Sequence, residues 1–455
     1  MGLTSRKNIS DWFAGLKGRL SDGTFAPRGN GSGLMAVSPL LVFLLVYLLS
    51  SVAAGDFYKV PITAAFLIAS VYAVAIGPVR GGNLPDRVAA FSKGAGERNV
   101  LLMLWIFILA GAFAGSAKAI GAVDATVGIT LRLLPGKMLL AGLFLAACFI
   151  SMAVGTSVGT IVALVPIAAG IASQTAAEPA LLVGIIVGGA FFGDNLSFIS
   201  DTTIAATKTQ GCAMADKFKA NLWIALPAAL AVTVLYLFLG RDGGAPVAAE
   251  AVKPLLILPY LLVIVLAVCG MDVLAVLVTG TVANALIGIL GGSVGWIGFL
   301  KACGDGIASM GELIIVTMLA GGLLELIRQD GGLEWMIRGL TRSITGKRGA
   351  ELSIAALVSL VNVCTANNTI AIITSGALAK EITERFGLDP RKTASILDTF
   401  SCLVQGILPY GAQMLMASGL AGIAATAIIP HLYYPFALGA VALLAILLRL
   451  PRKYS

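Results

Sequence analysis

The sequence predicts an all-α, polytopic membrane fold made of two inverted repeats, with about ten transmembrane crossings, two re-entrant hairpins and two broken helices. Three observations lead there: the composition, a series of apolar segments of spanning length, and a self-match at a fixed separation. Of 455 residues, 58% are hydrophobic and only 12% are charged, about half the charged share of a soluble domain. Glycine occurs 54 times, and small residues let helices approach closely in a bilayer. The net charge of +8 does not imply a nucleic-acid partner. The basic residues lie between apolar segments, where they mark cytoplasmic loops.

Eight segments are long enough, or nearly so, to cross as simple helices at about 20 residues per span. They are 36–54, 60–77, 99–117, 221–240, 255–269, 273–291, 313–327 and 432–448. Four more are apolar but interrupted. Segment 138–172 holds Gly155-Thr156-Ser157 near its middle, and segment 353–382 holds Cys364 through Thr369 near its middle. A polar tip in that position is the pattern of a hairpin that returns to its own side. Segments 179–207 and 393–420 read instead as crossing helices broken midway. Non-helical backbone at that depth needs protein or a wet cavity to satisfy it.

Charge placement tests the hairpins. If both return to their own side, with the N-terminus inside, 24 Lys and Arg residues fall inside and 7 outside. If both cross, giving twelve spans, the same residues divide 19 to 12. The positive-inside rule selects the ten-crossing arrangement, with both termini cytoplasmic.

The chain also matches itself at a separation of 210. Gly111 pairs with Gly321, Gly121 with Gly331, Arg132 with Arg342 and Gly136-Lys137 with Gly346-Lys347, so that the tip at Thr156-Ser157 overlays 362–368. Each copy then holds five crossings and one hairpin. An odd number of crossings forces the copies into opposite orientation, the plan of many secondary transporters, whose sites lie where interrupted helices meet. The expected division is a cytoplasmic N-terminal segment (1–34), a first repeat (35–240), a linker (241–254), a second repeat (255–449) and a cytoplasmic tail (450–455). The N-terminal segment is too long and polar for a signal-peptide n-region. Within it, Trp12, Phe13, Leu16 and Leu20 suggest a short interfacial helix.

Asp194 and Asp201 are the sharpest chemical signal, because a central carboxylate costs about 2.5–3.5 kcal/mol on insertion scales. Positions 194, 197 and 201 would share one face of a continuous helix, gathering Asp194, Ser197 and Asp201, with Ser200, Thr202 and Thr203 nearby. A hard cation such as Na⁺ takes oxygen ligands of this kind. Burial disfavours the charged carboxylate, so a proton and a cation can compete for it. The hairpin tips add neutral donors and acceptors: Thr156, Ser157 and Thr160 in the first, and Asn362, Thr365, Asn367, Asn368 and Thr369 in the second. Tips of half-helices favour ions of one sign or the other. For single hydroxyls the plainer reading, bonding to their own helix, has about even weight. Asn195, Asp398, Gln405, Tyr410 and Gln413 are secondary candidates. Asp272 and Glu312 are assigned to span ends. The lone histidine, His431, and six scattered cysteines form no metal-ligand spacing and no disulfide framework.

The run Phe191-Phe192-Gly193-Asp194-Asn195-Leu196-Ser197, continuing to Ser200-Asp201-Thr202-Thr203, resembles the signature of NhaC-type sodium/proton antiporters, and Thr365-Ala366-Asn367 resembles that family's second half. The resemblance spans most of the chain. It implies Asp194 and Asp201 as the cation and proton carboxylates, Na⁺ as transported or coupling ion, no cofactor, and a homodimer. This sequence departs from the pattern at Asn195, where the family commonly has Lys, at Phe198 (Pro) and at Ile204 (Asn). Without a lysine at 195, Asp194 lacks a charge partner there.

The expectation is therefore a secondary transporter of a bacterial cytoplasmic membrane, exchanging Na⁺ for H⁺. The alternative is cation-coupled transport of a small carboxylate or amino acid. An organic anion calls for a compensating cation, and Lys208 and Lys219 are taken as the nearest basic residues, both at the inner interface. An integral-membrane enzyme is disfavoured, since no Ser–His pair or metal cluster accompanies these motifs. An open channel fits the two broken helices less well than alternating access does.

Overall fold

A computed structural model describes residues 33–53, 61–79, 83–133, 136–175, 177–197, 200–240, 254–269, 271–341 and 346–454. The proposed interfacial helix around Trp12 and nearly all of the 241–254 linker lie outside them. Among the described residues all regular structure is helical. Each of the eight predicted simple spans is a helix: α1 (Gly33–Ala53), α2 (Ile62–Val79), α4 (Arg98–Ile120), α10 (Met214–Leu239), α11 (Leu258–Val268), α12 (Val273–Leu290), α14 (Gly311–Gln329) and α21 (Tyr433–Leu447). Asp272 caps α12 by accepting from the Leu274 N–H, and Glu312 lies in the first turn of α14.

Four further helices lie where loops were expected: α3 (Leu84–Ala95), α5 (Ala122–Leu133), α13 (Trp296–Ser309) and α15 (Gly332–Thr341). All are short, and their mixed polar and apolar residues escape a search for spanning segments. α3 is held by a buried bidentate pair: the Arg87 guanidinium donates to both carboxylate oxygens of Asp330 at 2.6 and 3.0 Å.

Both hairpins and both broken helices form. The first hairpin is α6 (Leu139–Val154) and α7 (Ser157–Gln174), and the second is α16 (Gly346–Thr365) and α17 (Asn368–Phe386). The first broken helix is α8 (Pro179–Leu196) then α9 (Asp201–Gln210), and the second is α18 (Pro390–Ile407) then α19 (Ala412–Ala421), followed by the single turn α20 (Ala425–Ile428). Local signals explain the boundaries. α8 and α18 both open on proline, whose missing N–H costs nothing at a helix start. α9 and α19 both close on left-handed glycines, Gly211 (φ 70°) and Gly422 (φ 66°), a conformation that L side chains resist.

The repeat is sharper in space than in sequence. Residue 179 corresponds to 390, 196 to 407, 201 to 412 and 210 to 421, a constant offset of 211 rather than 210. Gly121 and Gly331 keep the offset of 210 and are both left-handed, so one extra residue enters the second copy between there and the hairpin tip. Packing is reciprocal: α7 lies on α19 of the other repeat, and α17 lies on α9. Such an exchange of partners is what a pseudo-two-fold between inverted copies produces.

Close approach is set by glycine. A methyl at Gly193 of α8 would stand 2.1 Å from Ser151 Oγ of α6, and one at Gly306 of α13 would stand 2.1 Å from the Gly111 carbonyl oxygen of α4. Arg87, Lys217 and Lys392 belong to buried ion pairs and are not loop charges. Leaving them out makes the inside count 21 against 7, and the bias stands.

Candidate functional site

The two breaks and the two hairpin tips meet. α8 ends because Ser197 takes extended backbone (φ −71°, ψ 142°) after donating its N–H to the Gly193 carbonyl. α9 begins at Ser200, whose hydroxyl oxygen accepts from the Thr203 N–H at 3.2 Å. The Asp194 carbonyl, near the open end of α8, accepts from Ser200 Oγ at 2.8 Å and from Thr202 Oγ1 at 3.0 Å. Two hydroxyls thus hold backbone that a continuous helix would satisfy by itself.

That break overturns one expectation. Asp194, Ser197 and Asp201 do not share one continuous helical face, because α8 stops at Leu196 and a new helix starts at Asp201. The two aspartates instead face different surroundings. Asp194 is 5% exposed and its carboxylate turns to the first hairpin tip. It accepts from the Ser157 N–H at 2.9 Å and from Ser157 Oγ at 2.6 Å, with Asn368 Nδ2 of the second tip at 3.5 Å. Asp201 is exposed and lines a cavity of about 990 Å³. Thr365, Asn367 and Thr369 of the second tip line the same cavity, and Lys93, Glu97, Lys208, Glu325 and Arg328 lie along it.

The second half of the site is made of amides. Gln405 Nε2 donates to the Ala366 carbonyl at 3.0 Å and to Gln413 Oε1 at 2.8 Å, and Gln413 Nε2 donates to Ser157 Oγ at 3.1 Å. At the offset of 211, Gln405 is the counterpart of Asp194 and Gln413 that of Thr202. The same offset relates Ser151 Oγ, which donates to the Ala190 carbonyl, to Asn362 Nδ2, which donates to the Ser401 carbonyl. Each repeat therefore ties its hairpin to its broken helix in the same way, while only the first places a carboxylate at the tip.

Several predicted residues have structural partners. The Thr160 hydroxyl bonds the Thr156 carbonyl of its own helix, and Thr365 Oγ1 bonds the Asn367 carbonyl. Asn367 Oδ1 caps α17 by accepting from the Ile370 N–H, and Asn368 Oδ1 accepts from the Thr369 N–H. Thr156 caps α7 with no side-chain bond. Tyr410 donates to the Val363 carbonyl at 2.8 Å and meets the rings of Phe43 and Phe66 edge-on. Asn195 Nδ2 donates to Thr399 Oγ1.

One residue of the centre lies outside the predicted set. Lys217, at 1% exposed, pairs with Asp398, at 0% exposed, at 2.5 Å. The same ammonium donates to the Asn195 carbonyl and to Thr203 Oγ1, both at 2.7 Å. Asn221 Nδ2 donates to the Asn195 carbonyl at 2.9 Å and to Asp398 Oδ2 at 3.0 Å. The expectation that Lys208 and Lys219 are the nearest cations is thereby corrected. Lys208 lines the cavity and Lys219 is exposed, whereas the Lys217 ammonium reaches from α10 to the residues around the break. The lysine absent at 195 in the sequence motif is present beside Asn195 in space. The spacing of Lys217 and Asn221, one turn apart at the head of an apolar helix, was the available signal. With the span beginning at Asn221, Lys217 counts only as one of the cytoplasmic loop charges. A buried pair of this kind is costly to break from one side, because the remaining charge is left without a partner.

Fold and site together define a class: a polytopic inverted-repeat transporter whose centre holds carboxylates, amides and hydroxyls at two helix breaks. The Na⁺/H⁺ antiporter family model matches residues 32–241 and 245–450, and the chain belongs to that family. It is 22% identical over 429 residues to the Malate-2H(+)/Na(+)-lactate antiporter of Bacillus subtilis, covering 87% of this chain and 91% of that protein. It is 23% identical over 368 residues to the Na(+)/H(+) antiporter NhaC of Alkalihalophilus pseudofirmus, covering 73% and 79%. Among solved structures, the YdaH transporter of Alcanivorax borkumensis aligns over 86% of this chain and 99% of that one, at 15% identity and a TM-score of 0.44.

Proposed function

We propose that this chain exchanges Na⁺ for H⁺ across a bacterial cytoplasmic membrane by alternating access, with Asp194 as the carboxylate that holds either ion. The observation that carries the reading is the position of Asp194. It is a buried carboxylate between both hairpin tips, at a helix break, with Ser157 on it and Asn368 within 3.5 Å. Asp201, exposed in the cavity, draws the cation from solvent toward the break. The carbonyls and hydroxyls of Asp194, Ser200, Thr202 and Ser157 are oxygen ligands for a hard cation once it enters. Ser197, Thr203, Thr156, Asn362, Thr365, Asn367, Thr369 and Asn195 shape the surroundings, and Gln405, Gln413 and Tyr410 brace the second tip.

The charge bias gives this conformation a direction. Lys93, Lys208 and Arg328 lie along the cavity in segments that the positive-inside rule assigns to the cytoplasm, so the site is open inward here. Ten crossings, cytoplasmic termini and a homodimer complete the proposal.

One observation favours a second reading. A cavity of about 990 Å³ matches a small organic molecule better than a bare ion, and a relative is named for malate and lactate. Purified protein in liposomes, with an imposed Na⁺ gradient and an internal pH dye, separates the two. Antiport moves protons on Na⁺ addition alone. If Na⁺ moves no protons at any pH while a small carboxylate or amino acid drives uptake, the second reading replaces the first.

A further inference from the structure

The Lys217 ammonium sits in a cage of three oxygens of different kinds. They are the Asn195 carbonyl at 2.7 Å, Thr203 Oγ1 at 2.7 Å and Asp398 Oδ2 at 2.5 Å. Three elements supply them: the C-terminal end of α8, the first turn of α9 and the middle of α18. The end of a half-helix directs carbonyl oxygens with partial negative charge at whatever lies beyond it. A carbonyl, a hydroxyl and a carboxylate around one buried positive charge are also the ligand chemistry of a hard cation. Asn221 Nδ2, one turn further along α10, also donates to two of these oxygens, a second tie on the cage besides the ammonium.

We infer that this cage is a second cation site of the transport centre, filled by the tethered Lys217 ammonium in place of a free monovalent ion. The tether means that its occupant cannot leave with the cargo. Lys217 thus limits the centre to one exchangeable cation, at Asp194, and keeps Asp398 compensated through the cycle. Removing the ammonium while keeping Asp398 should open the cage to Na⁺. The inference rests on the proposed role of Asp194 only for the count in the unaltered protein.

Binding of radioactive Na⁺ to the purified full-length protein at saturation tests it. Lys217→Ala should roughly double the Na⁺ held per protomer, and adding Asp398→Asn to that variant should remove the gain. Unchanged or reduced Na⁺ binding in a folded Lys217→Ala protein overturns the inference. Recovery of the variant supplies a second readout. If it survives purification only when Na⁺ is present throughout, and not in choline, the ion is replacing the ammonium. If it is lost in both salts while Lys217→Met/Asp398→Leu is recovered, or if all three are lost, the pair is a structural strut and the inference fails. Absence of Na⁺ binding in the unaltered protein sinks the Asp194 reading instead, and the gain or lack of gain in Lys217→Ala still decides this one.

Discussion

Asp194 and Asp201 differ in what surrounds them, and their neutral variants should differ accordingly. Asp194→Asn keeps the size and one oxygen that can accept from Ser157 but removes the charge and the titratable proton. It should insert and fold yet lose Na⁺-dependent proton movement in liposomes, with transport normalised to monodisperse protein. Asp201→Asn removes an exposed carboxylate from the cavity. It should keep turnover at high Na⁺ while weakening apparent Na⁺ affinity about tenfold, equivalent to roughly 1.4 kcal/mol. Two structural aspartates would instead give low expression or a reduced melting temperature with normal turnover per folded molecule. That outcome in both variants would remove the site assignment.

At the scale of elements, the repeat places corresponding helices under the same constraint but not with the same residues. Gly155 takes the left-handed turn of the first tip at φ 75°, and Ala366 takes the corresponding turn at φ 49°. A side chain in that region is strained, and Gln405 holds the Ala366 carbonyl in place. Away from the site, α4 and α13 cross where Gly111 and Gly306 meet backbone to backbone. Because the clashing atom is a carbonyl oxygen rather than a movable side chain, Gly306→Ala should cost about 1–3 kcal/mol. A thermal-shift measurement should show the lower melting temperature, with exchange per folded molecule retained. Equal loss of activity and stability would mean that this crossing moves during transport.

For the whole molecule, topology and coupling are the measurable properties. In a background without the six cysteines, single cysteines at Gln174 and Gly243 should react with an impermeant thiol reagent added to intact cells. A cysteine at Gly346 should be protected in the same cells. Twelve crossings would reverse all three results. Coupling should appear without any membrane: adding Na⁺ to detergent-solubilised protein should release protons, at a midpoint that moves to higher Na⁺ as pH falls. The release and its shift are the outcomes expected of the proposed single carboxylate, held by cation and proton in turn.

The sequence by itself determined the element plan. Long apolar runs, polar tips at Thr156 and Asn367, and interruptions at Asp194 and Gln405 act locally, so hairpins and broken helices are legible in order and nearly in boundary. It also singled out Asp194 as a carboxylate too deep to be incidental, and named Ser157 and Asn368 at the tips and Gln413 as a secondary candidate. Only the tertiary structure decided how these residues divide. A helical-face pattern brings Asp194 and Asp201 together, whereas a break held by Ser200 and Thr202 sends one to the hairpin tip and the other to the cavity. The short helices α3, α5, α13 and α15 were invisible because their mixed polar and apolar residues form no spanning run, and in α3 the charge of Arg87 is met only by Asp330, far along the chain. Lys217 escaped for the same physical reason. A lysine at the head of an apolar segment looks like an interfacial charge until the chain brings Asp398, 181 residues later in sequence, to within 2.5 Å of it. Burying an ammonium is costly alone and tolerable beside a carboxylate, and which of the two applies is settled by the fold.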